Sequence, residues 1–232
     1  TKITFEYFCN NFTPIDKKSI KKLTPLVEAV DAIDIWQEER PLFEFGKVCM
    51  RMISSSNELS RIIFEDEDRK YKFTLLENAL KFINKPNAHI KLDNHLHTLK
   101  KKYLNTQAED DIIDNLISKK VVELLSIHKE DFSIIYDGKR GILTYSLGNI
   151  STIANLFLRV NPEFKFFIDI GSRGNCSLRA NGECDVSLLS KELFGGGGHP
   201  NASGGRIDGF KESFVYSEVK SKFLEIIDKK RG

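Results

Sequence analysis

Residues 194–205 read FGGGGHPNASGG. Flexible linkers are rich in Gly and Ser and lie between domains, but this run sits inside a dense pattern of elements. Before it, DVSLLSKELF (185–194) is an amphipathic helix opened by Asp185 as an N-cap. After it come strand-like GGRID (204–208) and a closing helix, KESFVYSEVKSKFLEIIDKK (211–230). A backbone joining a helix to a strand must take a defined path. Its glycines permit positive φ, carry no Cβ, and let successive N–H groups converge on an anion. His199 adds a donor at the lip, and Asn201 and Ser203 add further donors and acceptors. The run is not a Walker A loop, because no GK[ST] follows. Nor is it a dinucleotide fingerprint, which opens a helix after a strand rather than leaving a helix for a strand.

Upstream, FKFFIDIGSRGNCSLRANG (164–182) predicts two strands around a glycine turn, with Arg173 and Arg179 in the hairpin. In NCSLRANG, Cys176, Leu178 and Ala180 alternate with Ser177 and Arg179, so Arg179 shares a face with Ser177. Alone, Arg179 reads as a surface strand arginine. If its face looks toward the glycines, its planar fork can grip a phosphate bidentately.

The 232-residue chain fits one or two domains. With 41% hydrophobic and 29% charged residues, it has a globular balance rather than a disordered one. A net charge of +2 supplies no whole-chain field toward nucleic acid or membrane. No apolar run reaches 18 residues, so no membrane partner is expected. The opening TKITFEYFCNNF lacks a signal-peptide pattern, and without an initiating Met it suggests a processed or trimmed chain. Cys9, Cys49, Cys176 and Cys184 form no CxxC or zinc spacing and read as free thiols, which fits a cytoplasmic location.

Residues 1–40 read as helical. Leu23, Leu26, Val27, Val30 and Ile33, with Trp36 at the end, form a core-facing stripe. Pro86 and Asn87 break the next helical stretch. Residues 95–128 read as one long helix or two in series, starting near His95 and His97, with Lys100, Lys101 and Lys102 on a solvated face. DFSIIYDG (131–138) is strand-like and ends in an Asp-Gly turn, and GNISTIANLFLRVNP (148–162) predicts a helix. The expected fold is α/β: a helical lobe over 1–128, then a compact α/β domain with a mixed sheet over 129–232.

The stretch CSLRANGECDVSLLSKELFGGGGHPNASGGRI closely resembles the C-terminal DHH-associated domain of the DHH phosphoesterase superfamily, which includes oligoribonucleases and RecJ-like exonucleases. That domain carries a hydrophobic-Ser-x-Arg strand, a helix, a GGGH loop and a paired Gly. Arg179, Gly196, Gly197, Gly198 and His199 match it one for one, and Ser203 departs from the usual alanine. The resemblance covers 129–232 and implies a substrate-gripping domain. Arg179, the three glycines, His199 and Asn201 would hold the phosphate, sugar or base of a nucleotide-like ligand.

The superfamily hydrolyses phosphodiesters with two divalent metals held by an HxDxD motif, a lone Asp, an Asp-His-His signature and a later Asp. This chain has no His-His pair. LVEAVDAIDIWQEE (26–39) resembles the segment bearing the last ligand, in the pattern hydrophobic-x-x-x-Asp-x-Trp; Asp34 fits that position, and Asp31 is a weaker candidate one turn earlier. Read without the resemblance, Asp34 is an exposed carboxylate on an amphipathic helix.

The resemblance therefore implies the C-terminal part of a Mn²⁺- or Mg²⁺-dependent phosphoesterase, inactive alone because one carboxylate cannot hold two metals. Expected substrates are short oligonucleotides, dinucleotides or nucleoside phosphates, and the long helical segment could pair in a homodimer. Two other functions compete. One is a nucleic-acid-binding module related to the C-terminal domain of alanyl-tRNA synthetase, against which the DAIDIW segment argues. The other is a non-catalytic nucleotide sensor.

Overall fold

The structure, a computed structural model, describes residues 1–12, 16–105 and 110–231. Among the described residues it holds ten helices and a six-stranded mixed sheet, which is the expected α/β class. The chain divides into two compact units, Thr1–Asn57 with Asp68–Leu104, and Glu58–Glu67 with Asn105–Gly232.

The first unit is helical: α1 (Lys2–Asn11), α2 (Lys17–Asp34), α3 (Phe43–Ser54), most of α4 (Glu65–Ala79) and α5 (Ala88–Leu104). Asp16 caps α2 by accepting from the Ser19 N–H at 2.9 Å and the Ser19 hydroxyl at 2.6 Å. The face that α2 buries is Leu26, Ala29 and Ala32, so the core stripe is rotated from the expected one. The reason is a close crossing of α2 and α3: a Cβ on Gly46 would lie 2.2 Å from the Ala29 carbonyl oxygen. A small residue is needed at such a contact, and the larger Val27, Val30 and Ile33 are only half-buried. Helix α5 starts at Ala88, directly after Asn87 at φ 54°, so His95 and His97 lie inside it rather than at its start.

The second unit is built on the sheet. Helix α6 (Ile113–Ile127) and the short α7 (Lys129–Phe132) lead into β1 (Ser133–Tyr136) and β2 (Lys139–Tyr145). Tyr136 pairs with Lys139, and Asp137 and Gly138 both have positive φ, which gives the tight hairpin that Asp-Gly favours. Then follow α8 (Ile150–Val160), β3 (Phe166–Ile170), β4 (Asn175–Ala180), α9 (Val186–Phe194), β5 (Gly197–His199), β6 (Ala202–Arg206) and α10 (Tyr216–Arg231). The strand order is β1-β2-β3-β4-β6-β5; β2 and β3 run parallel across the α8 crossover, and the other neighbours are antiparallel.

One sheet face carries the main core. Leu143, Tyr145, Phe166, Ile168, Ile170, Cys176 and Leu178 pack there with Val186, Leu189 and Leu193 of α9 and Val219, Phe223 and Ile227 of α10. The opposite face takes α8, whose Phe157 ring lies edge-on to Phe167 at 5.8 Å. Among the described residues no helix is long and apolar enough to cross a membrane.

Candidate functional site

The glycine run is not a loop. Gly195 ends α9 in the left-handed region at φ 61°, and Gly197–His199 then form the edge strand β5, paired with β6 through Pro200 and Asn201. The expected anion-holding concavity is therefore a β-hairpin on the sheet edge. Two of its glycines are required by the fold. A Cβ on Gly196 would meet the Gly204 carbonyl oxygen at 2.1 Å, and one on Gly198, at φ 147°, would meet the Ala202 carbonyl oxygen at 2.7 Å. Gly197 is different: its φ lies outside the left-handed range and a Cβ there would meet nothing within 4 Å.

The hairpin is fixed to the sheet by its backbone and by α9. The Ala180 N–H donates to the Asn201 carbonyl at 3.0 Å and the Val186 N–H to the Pro200 carbonyl at 2.9 Å. The Ser190 hydroxyl donates to the Gly204 carbonyl at 2.8 Å, and the Ser203 hydroxyl to the Val186 carbonyl at 2.5 Å. Ser203, expected as a donor at the lip, is thus buried and committed to α9. Asn201 keeps an exposed side chain at the hairpin tip, and Arg173 is exposed in the β3–β4 turn.

Register places the remaining groups. Arg179 is opposite Ala202 on β6, and Ala202 is opposite His199 on β5. Directly opposed residues share a face, so Arg179 and His199 flank Ala202 on one side, two strand spacings or about 10 Å apart. The neighbouring row on that face runs Asp169, Ser177, Gly204, Gly197. Between the arginine and the histidine the floor is therefore Ala202, Ser177 and glycine, small enough for a planar ligand to lie flat. The face is also the one α8 covers: Arg179 donates through its guanidinium to the Ser151 hydroxyl at 2.8 Å and to its neighbour's carbonyl, Leu178, at 2.8 Å.

Asp169 was not among the expected site residues. It is buried, accepts from the Thr144 hydroxyl at 2.8 Å and the Leu147 N–H at 3.2 Å, and burial pushes its carboxyl up to about 7 against the lowering effect of those two bonds. Leu147 lies between Ser146 at φ 54° and Asn149 at φ 48°, two non-glycine residues in the left-handed region just before α8. Such conformations cost about 1–3 kcal/mol each and persist where the surroundings impose them. Asp169 anchors that segment, which delivers Ser151 to Arg179. The sequence signal was the lone carboxylate within FFIDI.

Asp34 belongs to the first unit. It is the last residue of α2, where its charge opposes the helix dipole. Beyond it Trp36 takes φ 53°, the Trp36 N–H donates to the Ile33 carbonyl, and the Gln37 N–H donates to the Ala32 carbonyl at 2.8 Å. This is a Schellman cap with tryptophan where glycine is usual. Trp36 is exposed rather than part of the core stripe, its ring edge-on to Phe43 at 5.4 Å. Two local preferences are thus broken within three residues, the acidic helix end and the positive φ of Trp36. Asp31 is committed elsewhere: the Lys2 N–H and the Arg40 guanidinium at 3.0 Å hold its carboxyl below the usual range. Among the described residues no three His, Cys, Asp or Glu groups converge as a metal site. Asp34, exposed and bonded to the Thr1 hydroxyl, can offer one hard oxygen donor.

Comparison with known proteins adds to this geometry. No family model matches the chain. It is homologous to a 3',5'-cyclic-nucleotide phosphodiesterase of Helicobacter pylori, with 47% identity over 228 residues and 98% of this chain. The crystal structure of an uncharacterized protein from Helicobacter pylori G27 superimposes with a TM-score of 0.91 at 48% identity, covering 98% of this chain and 65% of that one. A pGpG-specific phosphodiesterase, PggH, from Vibrio cholerae aligns over 97% of this chain and 72% of its own at 15% identity, but with a TM-score of 0.25 that likeness carries nothing. The chain spans 66% of the length of the curated relative, just under two thirds.

Proposed function

We propose that this chain is the substrate-gripping part of a divalent-metal-dependent phosphodiesterase of the DHH superfamily, acting on small nucleotide phosphodiesters. The observation that carries this reading is the row Arg179–Ala202–His199 on one sheet face, beside a glycine edge that leaves the Gly197 position open. The similarity to a 3',5'-cyclic-nucleotide phosphodiesterase supports the substrate class.

Arg179 holds the phosphate through its fork, oriented by the Ser151 hydroxyl and the Leu178 carbonyl. His199 and Asn201, at the edge strand and hairpin tip, donate to the sugar or base. The open backbone at Gly197 lets the ligand approach closely. Asp34 would contribute one carboxylate to a Mn²⁺ or Mg²⁺ pair, whose other ligands would come from outside the described residues. When bound, such a pair would supply a nucleophile at neutral pH and would neutralise charge on the phosphoryl oxygens. In the hydrolysis one P–O bond forms to water and one ester P–O bond breaks, with the leaving oxygen taking up a proton.

The test is hydrolysis by the full-length protein of 3',5'-cyclic AMP, a dinucleotide and a short oligoribonucleotide, with chelator and then with Mn²⁺ or Mg²⁺. Turnover that requires the metal, with a raised KM for Arg179→Ala, is the expected result. If none of these is hydrolysed, the enzyme reading fails; binding without turnover would leave a nucleotide sensor.

A further inference from the structure

A second polar cleft lies in the sheet-bearing unit, away from the glycine edge. Helices α6 and α8 border an open cleft of about 330 Å³ lined by Asn115 and Lys119 on one side and by Asn155, Leu156 and Arg159 on the other. Arg159 is exposed, and among the described residues no carboxylate or carbonyl is bonded to it. Lys119 is neutralised by Asp111 at 3.0 Å, so Arg159 carries the cleft's uncompensated charge. The two amides are half-used. Asn115 donates to Asp111 at 2.8 Å and Asn155 to the Ser151 carbonyl at 2.8 Å, which leaves both amide oxygens as open acceptors. Leu156 gives an apolar surface between them.

This cleft is joined to the first site. Ser151, Asn155 and Arg159 fall at i, i+4 and i+8 on α8 and form one exposed polar stripe. Ser151 is the residue that receives Arg179. At 1.5 Å per residue, Arg159 lies about 12 Å along the axis from Ser151. That is too far for one phosphate to touch both arginines and within reach of a ligand a few nucleotides long.

We infer that the α6–α8 cleft is a second nucleotide subsite, which takes a phosphate on Arg159 and a base on Leu156 with its amino group to the Asn115 and Asn155 oxygens. The inference rests on the proposed reading of the Arg179 site: the near unit of a linear substrate lies on Arg179, and a distal unit follows α8 to Arg159. The site thus favours short linear oligonucleotides over mononucleotides.

Binding of 5'-AMP and of a pentaribonucleotide to the full chain, measured by calorimetry in chelator so that nothing is hydrolysed, tests this. Arg159→Ala is expected to weaken the pentanucleotide about tenfold and to lower its salt slope by about one, with 5'-AMP unchanged. Arg159→Glu weakens it further, and Arg179→Ala weakens both ligands. If Arg159→Glu leaves the pentanucleotide unchanged while Arg179→Ala weakens it, the second subsite is overturned and the first stands. Equal loss for both ligands in Arg159→Glu also overturns it, because the effect is then that of general charge. A pentanucleotide that does not bind overturns the second subsite alone, and if Arg179→Ala changes neither ligand the reading of the first site falls with it.

Discussion

Arg179 and His199 face the same side of the sheet because both are in register with Ala202, one from β4 and the other from β5. The arginine is also braced: one guanidinium nitrogen is bonded to Ser151 and another to the Leu178 carbonyl. Lysine has one ammonium and cannot keep both bonds while facing a phosphate. Arg179→Lys should therefore weaken nucleotide binding about 10- to 100-fold, the 1–3 kcal/mol of a lost charge-assisted pair. Ser151→Ala, which leaves the charge and removes only the brace, should cost less. Calorimetry on both variants checks the order, and a lysine variant that binds like the parent would remove the fork from the role.

The glycines separate a folding role from a binding one. Gly196→Ala drives a methyl into the backbone of β6, where the nearest oxygen is 2.1 Å away, and should destabilise by about 1–3 kcal/mol or more. Gly197→Ala meets nothing within the chain and should keep or slightly raise the melting temperature, since alanine loses less backbone entropy in a strand. Its methyl nonetheless projects on the face shared with Arg179, and nucleotide affinity should fall. Thermal unfolding read beside binding separates the two positions, and normal binding by Gly197→Ala would mean that the ligand does not lie on the edge.

Much of this site was legible because its logic is local. The alternation around Arg179 and the cap at Asp185 depend on near neighbours only, and β4 and α9 appear where those signals put them. The edge strand was hidden: glycine has low strand preference, and β5 exists only because β6 pairs with it. Ser203 was misplaced for the same reason, since pairing decides which face a β6 side chain takes. In the helical unit the apolar pattern suggested large core residues, while the close approach of α3 brings Gly46 against the backbone of Ala29. Asp169 could have been flagged as a charge in an apolar strand, but its partners Thr144 and Leu147 are more than twenty residues away.

Asp34 offers a test in which stability and function move in opposite directions. Removing a negative charge from the C-terminal end of α2 relieves an unfavourable dipole interaction of about 0.3–1 kcal/mol. Asparagine still accepts from the Thr1 hydroxyl, and the exposed ion pair with the Thr1 amine at 3.5 Å that it gives up is worth little. Asp34→Asn should therefore melt at the same temperature or slightly higher, while metal-dependent hydrolysis by the full-length protein falls by about 100-fold or more. Unchanged turnover would return Asp34 to an ordinary surface carboxylate.

The raised carboxyl of Asp169 makes a prediction about pH. Its value in the folded chain is about 7 against 3.8 for the ordinary group, so between these values the folded state binds more protons than the unfolded one. Stability from this group is complete below about pH 4 and is lost as pH rises through 7. A shift of that size corresponds to a few kcal/mol, on the order of 1.4 kcal/mol per unit. Asp169→Asn keeps an oxygen for Thr144 and Leu147 and has no charge to bury, so its unfolding free energy should vary less between pH 4 and pH 7.5 than that of the parent. Because Asp169 anchors the segment that presents Ser151 to Arg179, nucleotide affinity should change more over the same pH range in the parent than in the variant. Denaturant unfolding and binding at a series of pH values measure both. Parallel stability profiles for parent and variant would show that Asp169 does not carry this titration.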